Sequence, residues 1–583
     1  MGKNRLVTMA LAASLVVLTL SSCSAEERPG PEEAVTSLAE GLSRLDVAGN
    51  DFAGSTVEAV NGMLAHVVSG MNLKPTVTAG DIEEVSGNEA RATLNYVWDV
   101  NASAEDYSYS TAVTLERGPD SDWETRFRST TIHPDLQPGQ RLVREAAPLP
   151  RADILGAGGS VLVRHWPVWR VGLDKSVLLE REYASSAGYL SLFLGLDTDA
   201  YTAQVLGAGP KAFVEAVTIR QDKVPADFEK DVATVPGAAA LPERRILAPT
   251  PTFASALLGS VEQASEEMAA TADVPMAPGD LVGTSGLQAR YDSMLRGADG
   301  VTVRFTDQEN TRSEPLFTAD AVPGRPLETT LDARIQTLAE TVLADQPAGA
   351  ALVAIQPSTG HVLAVANHQQ DKGSQPALLG EFSLEQDFGP AALLAGLRGG
   401  DPEDTAGAEE YSAAARSLGL GEDAPLGTPA FSGTVTDQAT GQTDPPVLVV
   451  SPFALATAAA SVARGERVVP SLVLNAADAP EGKAEDAASS DPEKSGGPEP
   501  LTAAEARELR SLMRDGAAET LPLAPAGSLL ALSGTAVSAG ETPRPQAWAA
   551  AVQGDVAVAL LVPGTDADSA APALQAFLLG LEG

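Results

Sequence analysis

Few side chains in this sequence have the types and the spacing that covalent or metal chemistry requires. The single cysteine, Cys23, excludes an intramolecular disulfide and any zinc site built on several cysteines. None of the nine lysines follows a serine by three residues, the helical spacing that would place a nucleophile beside its base. The five histidines have no close ligand spacing and are interpreted as scattered residues: His66, His133, His165, His361 and His368. The sequence therefore predicts no metal and no cofactor.

The chemistry of Cys23 is instead that of a lipid anchor. Lys3 and Arg5 precede an apolar run at residues 6–20, and the run ends in Leu-Ser-Ser-Cys. A positive start, a short apolar core and small residues before a cleavage site are typical of a secretory signal, and the cysteine stands where a bacterial lipobox places it. Residues 1–23 are therefore predicted to be a lipoprotein signal peptide; the alternative is an ordinary signal peptide with a chance cysteine.

A lipidated Cys23 would anchor the chain to the cell membrane on its extracytoplasmic face. After Cys23, the sequence has no run of about 18 apolar residues, the length needed to span the bilayer.

The length of 583 residues predicts about two to four domains. The formal net charge of −39 excludes nucleic-acid binding, because an acidic surface repels phosphate, and its simplest interpretation is solubility.

The hydrophobic periodicity predicts a multidomain α+β fold. Residues 30–140 begin with two amphipathic helices and continue with alternating strands, at 35–45, 57–68, 91–98, 109–115 and 123–127. A turn-rich linker at 132–139 ends this unit. Residues 141–325 have a mixed pattern, with a strand pair at 161–171, a helix at Leu287–Leu295 and a strand at Val301–Phe305.

Residues 326–583 have an α/β pattern. A helix, two strands, a C-terminal hairpin and a final helix are predicted at 331–343, 350–355, 361–366, 548–562 and 570–581. The two hairpins are expected in one sheet that is packed against helices. Residues 475–500 are acidic and nearly free of large apolar side chains, and they are predicted to be a disordered insertion.

Several segments resemble the class B penicillin-binding protein transpeptidases. Residues 327–332 (LETTLD), 351–360 (ALVAIQPSTG) and 361–367 (HVLAVAN) resemble the opening of the transpeptidase domain. Residues 449–465 and 470–473 resemble its long central helix and the strand after it.

The resemblance extends towards the N-terminus. Residues 287–297 resemble the end of the dimerisation or pedestal domain of this family, and 132–136 the junction after an NTF2-like domain. The resemblance implies an NTF2-like domain at 30–140, a mixed dimerisation domain at 141–325 and an α/β transpeptidase-like domain of serine β-lactamase type at 326–583.

The resemblance also implies where catalysis would take place. The family uses Ser-x-x-Lys for the nucleophile and base, Ser-x-Asn for proton relay, and Lys-Thr-Gly on an edge strand to bind the substrate carboxylate. The matching positions, in that order, are Gln386 and Gly389; Ala406 and Ala408; Leu532, Ser533 and Gly534. Thr535 is a possible remaining cleft contact. All three motifs are therefore predicted to be lost.

An amide such as Gln386 is no acyl nucleophile, and neither Gly389 nor Leu532 can carry a proton or a charge. Loss of the nucleophile alone costs on the order of a million-fold in turnover. Ser383 is the candidate for a displaced nucleophile, but the residue three positions later is Gln386. Matches elsewhere to Ser-x-Asn and Lys-Ser-Gly are interpreted as chance: 86–88 and 494–496.

Three functions follow from this sequence. The first is a non-catalytic pseudo-transpeptidase, a scaffold or regulator of peptidoglycan synthesis that contacts peptidoglycan, its precursors or other cell-wall synthases. The alternative is an active D,D-transpeptidase that cross-links stem peptides with an atypical serine. The second alternative is an extracytoplasmic lipoprotein with no role in the wall.

Overall fold

The computed structural model describes residues 30–101, 103–119, 122–271, 276, 278–368, 373–384, 388–399, 408–436, 447–476, 498–521, 529–539 and 543–582. Cys23, Gln386, Ala406 and most of the predicted insertion lie outside these residues, so the expectations placed on them stay predictions. The chain divides into two compact units. Within the described part of the chain, no helix combines the length and the apolar character that a membrane crossing needs.

The first unit begins with two helices and continues with a four-stranded antiparallel sheet. Helix α1 (Glu32–Arg44) buries Val35, Leu38 and Leu42, because a spacing of three and four residues places them on one face. The remaining elements are α2 (Val57–Val68), β1 (Thr76–Ser86), β2 (Glu89–Trp98), β3 (Tyr107–Arg117), β4 (Trp123–Arg126), α3 (Ser129–Ile132) and β5 (Arg141–Ala147). The sheet order is β1-β2-β3-β4, and β2 buries every second residue. The predicted helices and strands of this unit are confirmed.

The second unit opens with a sheet that helices cover on one face. Its elements up to residue 296 are β6 (Ile154–Leu155), β7 (Val161–Asp174), α4 (Tyr183–Leu194), α5 (Thr198–Gly207), β8 (Phe213–Arg220), α6 (Phe228–Val232), β9 (Ala238–Leu247), α7 (Ser255–Leu258), β10 (Val261–Gln263), α8 (Glu266–Thr271), β11 (Leu281–Gly283), α9 (Gly286–Arg290) and α10 (Asp292–Arg296). β8 and β9 pair with the same residues of β7 and therefore flank it. Val171 and Leu173 of β7 pack with Leu190 of α4 and Val205 of α5.

Two predictions for this region are wrong. Residues 161–171 are not a strand pair but part of the single strand β7. Pro167 pairs with Arg244 of β9, while pairing with β8 begins only at Val168. At Pro167, β7 therefore pairs with β9 but not with β8, and a residue without an N–H is tolerated there. The predicted helix Leu287–Leu295 is two short helices, because Tyr291 leaves the helical conformation between them.

The chain then returns to the first unit. β12 (Gly300–Thr306) and β13 (Phe317–Ala319) form a three-stranded sheet with β5, in the order β13-β12-β5. Thr302–Thr318 thereby belongs to the first unit. The predicted strand Val301–Phe305 is confirmed, but its pairing with a strand so much earlier in the chain was not predicted.

The rest of the second unit is a sheet between helical layers. Its elements are β14 (Leu327–Glu328), α11 (Ala333–Ala344), β15 (Ala351–Ile355), β16 (Val362–Asn367), α12 (Pro376–Leu379), β17 (Phe382–Leu384), α13 (Gly389–Gly399), α14 (Ala408–Ser417), β18 (Thr434–Thr436), β19 (Val447–Val450), α15 (Pro452–Arg464), α16 (Ala503–Thr520), β20 (Leu530–Ser538), β21 (Pro545–Gln553), β22 (Val556–Pro563) and α17 (Ala571–Leu581). The strand order over the described residues is β16-β15-β22-β21-β20-β17-β19-β18.

Strand β15 shows why the central strands of this sheet have continuous apolar sequences. Ala351, Val353 and Ile355 face a core that includes α15, while Leu352 and Ala354 face a second core that includes α11 and α17. All five residues are buried, as in strands covered on both faces. The N-terminal hairpin β15–β16 lies beside the C-terminal hairpin β21–β22, which confirms the prediction of one shared sheet.

Candidate active-site region

The predicted site positions fall at the starts of two helices and on one strand. Gly389 is the first residue of α13, and Ala408 is the first residue of α14. Leu532, Ser533, Gly534 and Thr535 lie within β20. Gln386 and Ala406, which precede the two helices in the sequence, lie outside the described residues.

The two helix starts are joined through Phe388 and Tyr411. The backbone N–H of Phe388 donates a hydrogen bond to the Tyr411 hydroxyl at 3.1 Å, and both side chains are buried. Tyr411 lies three residues after Ala408, within the first turn of α14. The segments that were predicted to match the first and second family motifs are therefore in contact.

The start of α13 is also connected to the strand that was predicted to match the third motif. The rings of Phe388 and Trp548 have centroids 6.1 Å apart. Trp548 pairs with Gly534 across β20 and β21, and a Cβ at Gly534 would lie 2.8 Å from the indole Nε1. The indole thus lies against Gly534, where any side chain would collide with it.

Helix α16 lies against both positions that were predicted to match a family lysine. A Cβ at Gly389 would lie 3.3 Å from Cδ2 of Leu512. One helical turn later, a Cβ at Gly516 would lie 2.8 Å from Cδ2 of Leu532. Leucine side chains therefore lie close to the start of α13 and between α16 and the beginning of β20.

Hydroxyl groups remain on and near this strand. The hydroxyls of Ser533 and Thr520 are 3.2 Å apart, and Thr535 is half-buried. The lysines after residue 330 are Lys372, Lys483 and Lys494, and all three lie outside the described residues.

The two histidines of this sheet region lie too far from β20 to act as a base for its hydroxyls. His361 and His368 flank β16, which is four strands from β20, a distance of roughly 19 Å at the usual strand spacing. Among the described residues, no lysine or histidine is therefore placed beside the hydroxyls of Ser533 and Thr520.

β20 was expected to be an edge strand, and along part of its length it is not. Phe382–Leu384 of β17 pairs with Ala536–Ser538 of β20, and β17 also pairs with β19. Ser383, the candidate for a displaced nucleophile, therefore lies inside the sheet, with Val537 and Val449 as its two backbone neighbours.

Arg398 holds α16 against the two site helices. Its guanidinium, from α13, donates to Ser417 Oγ of α14 at 2.8 Å and to Glu505 Oε1 of α16 at 2.9 Å. Burial raises the pKa of the Glu505 carboxyl, but hydrogen bonds from Arg398 and Thr502 outweigh it, so that this pKa lies below its usual value. The pair stabilises the cover formed by α16.

A buried arginine stabilises the region that precedes residue 326. Arg151 Nη1 lies 2.7 Å from the Asp292 carboxylate, and Arg151 also donates to the side chain and the carbonyl of Gln288. Tyr291, between these two acceptor residues, donates its hydroxyl to the carbonyl of Gly427 at 2.7 Å. Helices α9 and α10 are thus fixed both to the start of their own region and to the following domain.

Residues 146–329 match the penicillin-binding protein dimerisation domain. The matched region contains the Arg151 network and begins and ends close to the dimerisation domain expected at 141–325. The match supports a penicillin-binding protein family member with a role in cell-wall synthesis. Contacts with peptidoglycan or its precursors are in keeping with that role.

The first unit contains a buried polar residue that the sequence did not single out. His133 accepts a hydrogen bond from the Asp135 N–H on Nδ1 at 3.1 Å, and its Nε2 lies 2.7 Å from the Tyr107 hydroxyl. Because Nδ1 is the acceptor, Nε2 carries the proton of the neutral ring. Burial lowers the pKa of His133 to about 4. The rings of Tyr109 and Phe305 also contact it.

Proposed function

We propose that this chain is a non-catalytic member of the class B penicillin-binding proteins, acting as a scaffold or regulator in peptidoglycan synthesis. The observation that carries the proposal is the cover formed by α16: Leu512 lies against Gly389, and Leu532 lies against Gly516. A transpeptidase of this family needs an amine at each of the two covered positions, one as base and one to bind a carboxylate. Apolar packing at both positions supports the loss of both roles.

The domain organisation supports the same proposal. Residues 146–329 match the dimerisation domain, and the part that follows has the hairpins and buried central helix expected of a transpeptidase-like domain. In the first unit, two helices and a four-stranded antiparallel sheet are compatible with an NTF2-like domain. We further propose that a lipidated Cys23 anchors the chain to the extracytoplasmic face of the cell membrane.

Labelling with a fluorescent penicillin tests the catalytic part of the proposal. The purified chain is expected to give no labelled band, because no activated serine is available for acylation. An active penicillin-binding protein in the same reaction is the positive control. A band that mass spectrometry maps to any serine, Ser383 and Ser533 included, would establish the active transpeptidase instead.

Sedimentation with purified peptidoglycan tests the scaffold part. The full chain is expected to pellet with insoluble peptidoglycan or with a membrane fraction containing cell-wall synthases. A labelled band together with pelleting would contradict only the loss of catalysis. Absence of pelleting in both assays would contradict the role in the wall.

A further inference from the structure

An unusual surface lies on helix α4 of the matched dimerisation domain. Its 12 residues, YASSAGYLSLFL, contain no charge. One side packs into the core through Tyr183, Ala187 and Leu190. The opposite side faces outward and carries Tyr189 and Leu192, with Phe193 beside them. A helix that is apolar on both sides is normally buried, and this one is not.

The exposed apolar residues around α4 form a concentrated set. Six large hydrophobic side chains between residues 177 and 206 are exposed, by the following fractions: Val177 70%, Leu179 52%, Tyr189 63%, Leu192 71%, Phe193 46% and Leu206 55%. Single exposed hydrophobic residues are common on any protein, whereas a contiguous group marks an interaction site. The term α4 patch is used here for Tyr189, Leu192 and Phe193.

Acidic residues border the α4 patch. Asp197 and Asp199 follow at the start of α5. Phe193 stacks on Phe228 with ring centroids 6.1 Å apart, which brings α6 with its exposed Glu229 and Asp231 to the same side. Lys230, also on α6, is paired with Asp227 at 2.7 Å and adds no net positive charge.

We propose that the α4 patch binds a partner protein through an amphipathic helix whose apolar stripe is bordered by lysine and arginine. Apolar side chains would cover Tyr189 and Leu192, and the basic border would face the acidic rim. A second copy of this chain is a poor occupant, since it would bring two acidic rims of a molecule with net charge −39 together. An anionic lipid surface is repelled for the same reason. The inference does not depend on whether the chain is catalytic.

A fluorescein-labelled helical peptide of leucine and lysine with one apolar face is the probe, measured by fluorescence anisotropy against the full chain. Tyr189→Ser with Leu192→Ser is expected to weaken binding at least 10-fold. Leu397→Ser with Leu579→Ser, two exposed leucines on other helices, is the matched control and is expected to leave binding unchanged. Thermal unfolding of both variants checks that they remain folded.

The acidic rim is tested separately. Asp199→Asn with Asp231→Asn is expected to weaken binding several-fold and to reduce its dependence on salt. An isomeric peptide of the same composition without an apolar face is expected to bind no better to the wild type than to the Tyr189/Leu192 variant.

Three results would overturn the proposal. The first is equal peptide affinity for the wild type and the Tyr189/Leu192 variant. The second is a wild-type dimer in sedimentation that the same variant abolishes, which would assign the patch to a second copy. The third is flotation with phosphatidylglycerol vesicles that the variant abolishes, which would assign it to a lipid surface.

Discussion

Cδ2 of Leu512 lies 3.3 Å from the point at which a side chain on Gly389 would begin. This contact joins the first residue of α13 to the middle of α16. The start of α13 therefore packs directly against Leu512, and any larger residue at position 389 must displace this leucine.

Replacing Gly389 with lysine is therefore expected to lower the free energy of unfolding by about 1–3 kcal/mol, the usual cost of overpacking. Denaturant unfolding measures the change. Gly396→Lys, in the same helix, is the control, because a Cβ there meets nothing within 4 Å. Adding Leu512→Ala is expected to recover part of the loss specific to Gly389→Lys.

Restoring both residues of the first motif, with Gln386→Ser and Gly389→Lys, is expected to give no penicillin labelling. The carboxylate-binding lysine position would still be Leu532, packed against Gly516. Labelling of this double variant would show that the cover by α16 is easily displaced.

The contact of Arg398 with Glu505 predicts a loss of stability when the arginine is removed. Arg398→Met keeps the aliphatic stem but leaves the poorly exposed Glu505 carboxylate without its cationic partner, at a cost of about 1–3 kcal/mol at neutral pH. Arg507→Met, on the exposed side of α16, is expected to change little.

The effect of Arg398→Met should depend on pH in a known direction. The folded-state pKa of Glu505 is lowered, so its contribution is present above the unfolded value of about 4.3 and disappears as the pH falls through the folded value. Guanidinium unfolding at pH 7 and pH 3 should show a smaller difference from wild type at pH 3. An equal difference at both pH values would assign the effect to packing alone.

The buried imidazole of His133 predicts a second pH dependence of stability. Here the folded state keeps the group neutral, whereas it keeps Glu505 ionised. Its pKa is about 4 in the folded chain and about 6.5 when unfolded, so the unfolded state binds the extra proton first. The first unit should lose up to about 3 kcal/mol as the pH falls from 6.5 to 4. His133→Gln should remove this part of the pH dependence.

Two measurements check the prediction for His133. Urea unfolding of wild type and His133→Gln between pH 4 and 7 gives the difference in pH dependence. NMR titration of the imidazole gives the pKa directly. A His133 ring that titrates above pH 6 would contradict the buried neutral imidazole hydrogen-bonded to Tyr107.

Local patterns were enough to predict most individual elements. The spacing of Val35, Leu38 and Leu42 predicts α1, and the unbroken apolar run of β15 predicts a strand buried on both faces. Residues 161–171 were predicted to be a strand pair, whereas they belong to the single strand β7, whose partners β8 and β9 lie far along the chain.

Tertiary contacts account for what could not be predicted. The sequence indicates that positions 389 and 532 lack lysines, but not that one helix lies against both, because the docking of α16 depends on contacts distant in sequence. The return of Thr302–Thr318 to the first unit has the same origin. The uncharged sequence of α4 resembles that of a buried helix, and only its exposed Tyr189 and Leu192 indicate a surface.

Helix α15 is buried from Pro452 to Val462, and most of its side chains are alanine or of similar size. Ala456 and Ala459 are fully buried, so a larger side chain at either position is expected to overpack the core. This packing requirement is the same whether or not the domain performs a reaction. Substitutions at the predicted motif positions would leave this helix in place, whereas enlarging its alanines would disturb the fold itself.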